Sequence, residues 1–338
     1  MNTKTSWIHS PYSLREKIDL LKYRILSPCR INHTEGNFED EGHFNHTFSE
    51  ATPNFSLGFI GDFMPFGEKT PILSEELSKK LQTLDFLVVN VEGVLTEQHR
   101  YLALTHHTDL VERMEQLFPC PLIFNVANNH AADFGDDAFT QHCKLLGEKH
   151  LLMGERQQPL LLPEGIGLYA TTRWSNQPRF ATPHFDYDDT EQIASMFSEG
   201  IFNIFLPHWG YEMHLYPHSD QVNLAAYLLS NHYCDVIVGT HPHVPQPIQC
   251  YESGMVAYSL GNFCYQNVNP NHHFGSLLTL HLAVKEGEKP LLVSAESMYT
   301  RQTITPEETI ISLTPNLDYA TARQDTSRGL HFLSDLIK

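Results

Sequence analysis

Residues Asp235–Gln249 read DVIVGTHPHVPQPIQ. An apolar run gives way, through Gly239 and Thr240, to His241-Pro242-His243. Two imidazoles two residues apart, just past the last buried position of a strand, can serve one metal centre. Alone the pattern is weak. With 21 histidines among 338 residues, roughly one H-x-H arises by chance. The pair gains meaning only if other strand ends bring ligands to the same rim.

Outward from this stretch, short apolar runs alternate with helical ones. LGFIG (57–61), FLVVN (86–90), LIFNVA (122–127), LLM (151–153), IGLYAT (166–171) and IFNIFLP (201–207) read as strands. SEELSKKLQTL (74–84), TDLVERMEQLF (108–118), DDAFTQHCKLLG (136–147) and SDQVNLAAYLLSNHY (219–233) read as helices. Ser74 suits an N-cap, and acids fill the first turns. This alternation implies an α/β core. After the H-x-H, MVAYSLG (255–261), SLLTLHLAV (276–284) and PLLVSAESMYT (290–300) follow without a long helix, and imply a second, more antiparallel sheet. Residues 1–53 read as an N-terminal extension. Its Leu14, Ile18, Leu21 and Ile25 recur at helical spacing, so a short amphipathic helix should pack on the body. Residues 54–300 read as one domain, and 301–338 as a C-terminal appendage with a short helix near GLHFLSDLIK.

Six apolar runs finish in residues able to bind metal or substrate. LGFIG is followed by Asp62, FLVVN ends in Asn90 with Glu92 close behind, and LIFNVA runs into Asn128, Asn129 and His130. IFNIFLP leads to His208, DVIVG to His241 and His243, and MVAYSLG to Asn262. In α/β sheets, sites lie beyond the carboxyl ends of strands. Singly, each residue has a structural explanation: Asp62 can start a turn, Asn128-Asn129 suit turn positions, and His208 can be a hydrogen-bonded core histidine. Six placements of one kind favour a shared site. Carboxylate and amide oxygens with imidazole nitrogens suit Mn²⁺, with Fe or Zn²⁺ as alternatives, and the lack of thiolates argues against a structural zinc. Two such ions can clamp a phosphoryl group and generate a hydroxide nucleophile.

Composition narrows the function. The chain carries 40 acidic against 22 basic residues, a net charge of −18, so no broad nucleic-acid surface is expected. An anionic small molecule or polymer remains possible as substrate, because bound cations can dominate local charge. Six scattered cysteines, with no C-x-x-C pair, imply reduced thiols. The N-terminus has no apolar signal region, and no run approaches the ~20 apolar residues of a membrane helix. These features together imply a cytoplasmic protein without a membrane anchor; oligomeric state is not legible.

In order, GDFMPFGE, NVEGVLTE, NVANNHAADFG, PHWGYEMHLYPHSDQ, DVIVGTHPHVPQPIQ and YSLGNFCY resemble the motifs of the CapA-type poly-gamma-glutamate capsule family, a branch of the calcineurin-like metallophosphoesterase superfamily. The resemblance covers roughly residues 55–270. It implies a four-layer α-β-β-α sandwich with two divalent metals. By motif, Asp62, Glu92 and His243 resemble the ligands of one ion, and Glu92, Asn129, His208 and His241 those of the other. Glu92 takes the place of the usual bridging aspartate. His130 resembles the proton donor to the leaving group. Asp133 stands in for the acid that usually follows Asn-His, a position taken here by Ala131. Asp62-Phe63-Met64 lacks the histidine of the superfamily's usual Asp-x-His.

The activity implied is hydrolysis of a phosphoester by a hydroxide generated at the metals. The competing reading is a non-hydrolytic protein of capsule or polyglutamate assembly that binds anions in the same cleft. Asn90, His106, His107, Tyr211, Glu212 and Asn262 are candidates to line that cleft.

Overall fold

The apolar runs become strands because each is covered on both faces. A computed structural model of the chain describes residues 12–319, apart from 26, 33, 35–37, 39–42, 69, 253, 268 and 318. In its larger sheet, strand Phe55–Phe63 lies between Phe86–Val91, which is parallel to it, and Phe274–Ala283, which is antiparallel. Leu122–Asn125 and Leu151–Met153 extend the parallel side. Leu291–Ile304 and Thr309–Leu313 extend the other. The smaller sheet has Ile166–Thr172, Phe202–His208, Val236–Val238 and Gly254–Ala257 in parallel, with an antiparallel strand at each edge.

Alternation along each strand divides its side chains between two layers. Leu57, Phe59, Val88 and Ile123 of the larger sheet meet Leu168, Ile204, Val236 and Val238 of the smaller one. Their neighbours Ile60, Val89 and Phe124 turn the opposite way, onto Leu77, Met114 and Leu146 of the outer helices Glu75–Leu81, Leu110–Leu117 and Asp136–Gly147. On the far side, Tyr169, Phe205 and Ile237 pack against Leu224 and Leu228 of helix Ser219–Ser230. The result is the α-β-β-α sandwich expected. Ser74 caps its helix by accepting the Leu77 N–H at 3.3 Å.

Three expectations need correction. Residues 276–284 and 290–300 do not start a second sheet. They add to the larger sheet beside Phe55–Phe63, while Gly254–Ala257 enters the smaller one in parallel. A period-2 pattern records which face is buried and not which edge a strand joins. The boundary at residue 300 also fails, because one strand runs from Leu291 to Ile304 and Thr309–Leu313 pairs with it. Likewise, His43–Thr47 of the supposed extension pairs with that strand. Third, helix Leu14–Ile25 forms, but Leu14, Ile18 and Leu21 are 77%, 62% and 56% exposed. The helix docks through another face, with Leu20 and Tyr23 packed near Met213, Val244 and Phe274. The helix expected near GLHFLSDLIK lies outside the described residues. Among the described residues no helix is long and apolar enough to cross a membrane.

The ligand-bearing ends depend on close backbone approach. A Cβ on Gly61 would stand 2.1 Å from the Gly261 carbonyl oxygen, so only glycine lets Asp62 lie against Asn262 in the paired strand.

His142 gives the fold a measurable acid limb. It is buried, its Nδ1 accepts the Leu95 N–H at 3.2 Å, and burial, helped by His106, lowers its pKa to about 3. The unfolded chain binds a proton there below about pH 6.5, whereas the folded chain does so only near 3. Stability should therefore fall as pH drops between these values, by about 1.4 kcal/mol per unit from this group. In His142→Asn, which keeps an acceptor, urea midpoints measured from pH 6.5 to 4.5 should fall less steeply. An unchanged slope would refute the assignment.

Candidate metal centre

Parallel strands of both sheets point their carboxyl ends at one cleft, and the ends carry its polar residues. Asp62 lies on Phe55–Phe63, Asn90 on Phe86–Val91 with Glu92 just past it, and His208 on Phe202–His208. Asn129 follows Leu122–Asn125, and His241 and His243 follow Val236–Val238. All seven are buried.

Their atoms converge on Glu92. One group of ligand atoms comes from Glu92, His208 and His241, and a second from Asp62, Glu92 and His243, each within 4.8 Å of one another. Asn129 joins the first group, its Oδ1 being 2.8 Å from His208 Nε2. The Asn129 amide is oriented from behind, where Nδ2 donates to Asn176 Oδ1 at 3.3 Å. Asn90 Nδ2 donates to Asp62 Oδ1 at 2.7 Å, and the His241 backbone N–H donates to Asp62 Oδ2 at 3.2 Å. Asn90 and Asn262 therefore orient ligands: Asn262 Oδ1 is 3.0 Å from His243 Nδ1.

Both histidines of His-Pro-His have left-handed backbones, with φ +96° for His241 and +58° for His243. Such conformations cost on the order of 1–3 kcal/mol each in a non-glycine residue and persist where surrounding structure enforces them. Here the Pro242 carbonyl accepts the Met213 N–H at 2.8 Å, and Asp62 holds the His241 N–H.

The electrostatics suit cations. Asp62, Glu92, Asp133 and Glu212 are all at most 8% exposed. Both Glu92 oxygens are buried without a hydrogen-bond partner among the described residues, and burial, helped by Asp62, pushes its carboxyl pKa up. Burial holds His208 well below the ordinary imidazole range and His241 at about 3, so both are neutral and able to ligate. Burial disfavours the charged form of His243, but Glu92 and Asp62 outweigh it and raise its pKa to about 9, so it must release a proton to ligate. Carboxylates facing imidazoles, with Glu92 lacking any hydrogen-bond partner among the described residues, are a donor set that a divalent cation satisfies, and the residues fit two such ions.

His130 stands at the side of this group. Its Nδ1 is 2.6 Å from Asp133 Oδ2 and its Nε2 is 3.8 Å from Glu92 Oε1. Burial disfavours its charged form, but Asp133, Glu92 and Glu212 outweigh burial and raise its pKa. Asn176 Nδ2 is 3.1 and 3.3 Å from the two ring nitrogens.

The other candidates separate. His106 is buried and Nε2 donates to the Glu92 carbonyl at 2.9 Å, so it braces the backbone. His107 is exposed and bonded to Asp109; it lines a separate surface cavity with Phe66 and Arg113. Neither reaches the ligand cluster. Glu212 is held by the Arg24 guanidinium and lines a cavity with Tyr12 and Tyr211. Burial works against its charge, but Arg24, His243 and His241 lower its pKa to about 2. Tyr211 packs against Tyr12 and Trp174 beside His241. Tyr12, Arg24, Asn176 and Thr240 complete the surroundings. Of these, only Thr240 had a sequence signal, its place directly before His241.

A two-sheet sandwich with this carboxylate, amide and imidazole cluster is the arrangement that the resemblance to metallophosphoesterases implies. A family model described as bacterial capsule synthesis protein PGA_cap matches residues 169–267. The chain is 25% identical over 258 residues to PGA biosynthesis protein CapA of Bacillus subtilis (strain 168), covering 67% of each chain. It is 33% identical over 122 residues to capsule biosynthesis protein CapA of Bacillus anthracis, covering 36% of this chain and 28% of that one. The chain is thus similar to CapA-type capsule proteins over part of its length. Among solved structures, a novel phosphatase from Mycoplasma pneumoniae overlaps at 11% identity with a TM-score of 0.43, covering 80% of this chain and 98% of that one. A putative 5'-nucleotidase from Staphylococcus aureus, in complex with alpha-ketoglutarate, gives 11% and 0.44, covering 81% and 58%. Overlaps this weak have no bearing on function.

Metal removal tests the cluster. Mn²⁺ at about 100 times its Kd should stabilise the wild type by roughly 2.7 kcal/mol over protein in EDTA. Glu92→Gln keeps the shape and removes the buried ionisable carboxyl, so in EDTA it should melt no lower than wild type, while gaining less from Mn²⁺. Equal gains in thermal melts of the two proteins would count against Glu92 as a ligand.

Proposed function

We propose that the chain is a metal-dependent hydrolase that cleaves a phosphoester. The observation that carries this reading is the juxtaposition of a buried, unpartnered carboxylate, Glu92, with a histidine 3.8 Å away that is itself held by Asp133. Two divalent cations, Mn²⁺ by preference, held by Asp62, Glu92 and His243 and by Glu92, Asn129, His208 and His241, would polarise a phosphoryl oxygen and acidify a water. Four buried carboxylates would otherwise repel an anionic substrate.

The protein's own groups supply the rest. Asp133 accepts the Nδ1–H of His130 and so presents Nε2 to the cleft. The Asp133 carboxylate favours the protonated ring, from which Nε2 can donate to the leaving oxygen. Asn90 fixes the Asp62 carboxylate, and Asn176 fixes the Asn129 amide, so neither must reorganise when substrate arrives. Tyr211 and Trp174 offer aromatic surface at the mouth. The six cysteines, free thiols in the structure, support cytoplasmic residence as part of this proposal.

A second reading draws on the names of the curated relatives, which refer to PGA and capsule biosynthesis. In it, the cleft binds the carboxylates of an anionic polymer without cleaving it. Turnover separates the two. With Mn²⁺, wild type should hydrolyse members of a panel of phosphomonoesters and phosphodiesters, Asp62→Asn should lose activity, and His130→Ala should lose about 10²–10⁴ in kcat. No turnover above the variants, combined with saturable polyglutamate binding, would replace the hydrolase with the assembly protein.

A further inference from the structure

A metal-ligating histidine generally donates its second ring N–H to an outer acceptor, which fixes its tautomer and orientation. The three imidazoles here follow this division. His208 turns Nε2 to the cluster, 3.9 Å from Glu92 Oε1, and places Nδ1 2.9 Å from Thr240 Oγ1. His243 turns Nε2 toward Glu92 Oε1 at 3.7 Å, with Nδ1 3.0 Å from Asn262 Oδ1 and 3.1 Å from Asp62 Oδ2. His241 uses the opposite nitrogen. Its Nδ1 is 3.1 Å from His208 Nε2, on the cluster side, which leaves Nε2 facing away. That Nε2 lies 2.8 Å from the Tyr12 hydroxyl, 229 residues distant in sequence.

We propose that Tyr12 is a positioning residue of the metal centre: its hydroxyl oxygen accepts the His241 Nε2–H and fixes the tautomer that presents Nδ1 to a cation. The proposal rests on the metal reading above. The N-terminal segment is thus a component of the site and not an appendage to it. Three independent attachments hold it there. The Tyr12 ring packs between Trp174 and Tyr211, with centroids 5.6 and 6.0 Å away. Arg24 pairs with Glu212. The Cys29 N–H donates to the Met213 carbonyl at 2.7 Å, and its own carbonyl accepts the Leu215 N–H at 2.9 Å. Met213 in turn bonds Pro242, between the two histidines. The segment is therefore fastened to the loop whose imidazole it orients. Because the hydroxyl sits on the nitrogen remote from Glu92, it acts through His241 and not as a ligand itself.

The test uses the full chain with Tyr12→Phe, which keeps the ring and removes the hydroxyl. Mn²⁺ binding is measured by calorimetry, and Co²⁺ binding by its visible absorption. One of two sites should weaken by about 10–100-fold, with a changed Co²⁺ spectrum, while the melt in EDTA stays at the wild-type value. His241→Ala should lose the same site. Wild-type affinity and spectrum in Tyr12→Phe would overturn the positioning role and leave the metal centre standing. A melt in EDTA lowered as much as binding is weakened would overturn it in favour of simple packing. A wild type that takes up neither ion would overturn both readings.

Discussion

A carboxylate withdrawn from water needs partners for its oxygens, and Glu92 finds none among the described protein donors. Leaving a charge in that state costs several kcal/mol unless something compensates. The surroundings supply only partial relief, from His243 and His130, while Asp62 adds repulsion. Much of the architecture bears on this point. Two sheets deliver strand ends to it, and Gly61 permits the backbone approach that brings Asp62 alongside. Of the imidazoles that face it, His208 and His241 are desolvated into neutral forms that can ligate. The polar groups of the site are arranged for cations, and the apolar layers behind them hold that arrangement in place.

Rigidity is distributed unevenly around Glu92. Asp62 accepts a side-chain amide and a backbone N–H, and Asn129 is braced by Asn176. The His-Pro-His turn has the least favourable backbone of the site. In an extended strand, residues two apart face the same way. The left-handed conformations of His241 and His243 abandon that geometry and let the two rings serve different ligand groups. The strain is borne by the folded chain, whose hydrogen bonds to Asp62 and Met213 hold the turn in that conformation.

What could be read from sequence follows from what burial imprints on it. The central strands are covered on both faces, so they stand out as unbroken apolar runs. Asp62, Glu92, Asn129, His208 and His241 stand out because each follows such a run. Residues outside that frame leave no trace. Tyr12 and Asn176 come from segments with no apolar periodicity, Arg24 lies on a helix whose apolar pattern points elsewhere, and only the folded chain brings them to the cleft. The pattern of Leu14, Ile18 and Leu21 misleads because the helix docks through Leu20, Tyr23 and Arg24. His106 and His107 are adjacent and alike in sequence, yet one is buried under the Glu92 backbone and the other is in solvent. Residues 276–284 and 290–300 read as strands and Thr309–Leu313 does not, and the partners of all three are set by long-range pairing, which no local pattern encodes.

The position of Phe55–Phe63 in its sheet has a consequence for biosynthesis. One flank is closed by Phe86–Val91 soon after it emerges from a ribosome. The other waits for Phe274–Ala283, which begins 211 residues later (63 to 274). At ~5–20 residues per second, that interval is on the order of 10–40 s. For that time the strand destined to carry Asp62 presents one unpaired, apolar edge, the kind of surface on which nascent chains mispair. A strand almost wholly buried in the finished protein is thus one that needs protection while the chain is being made.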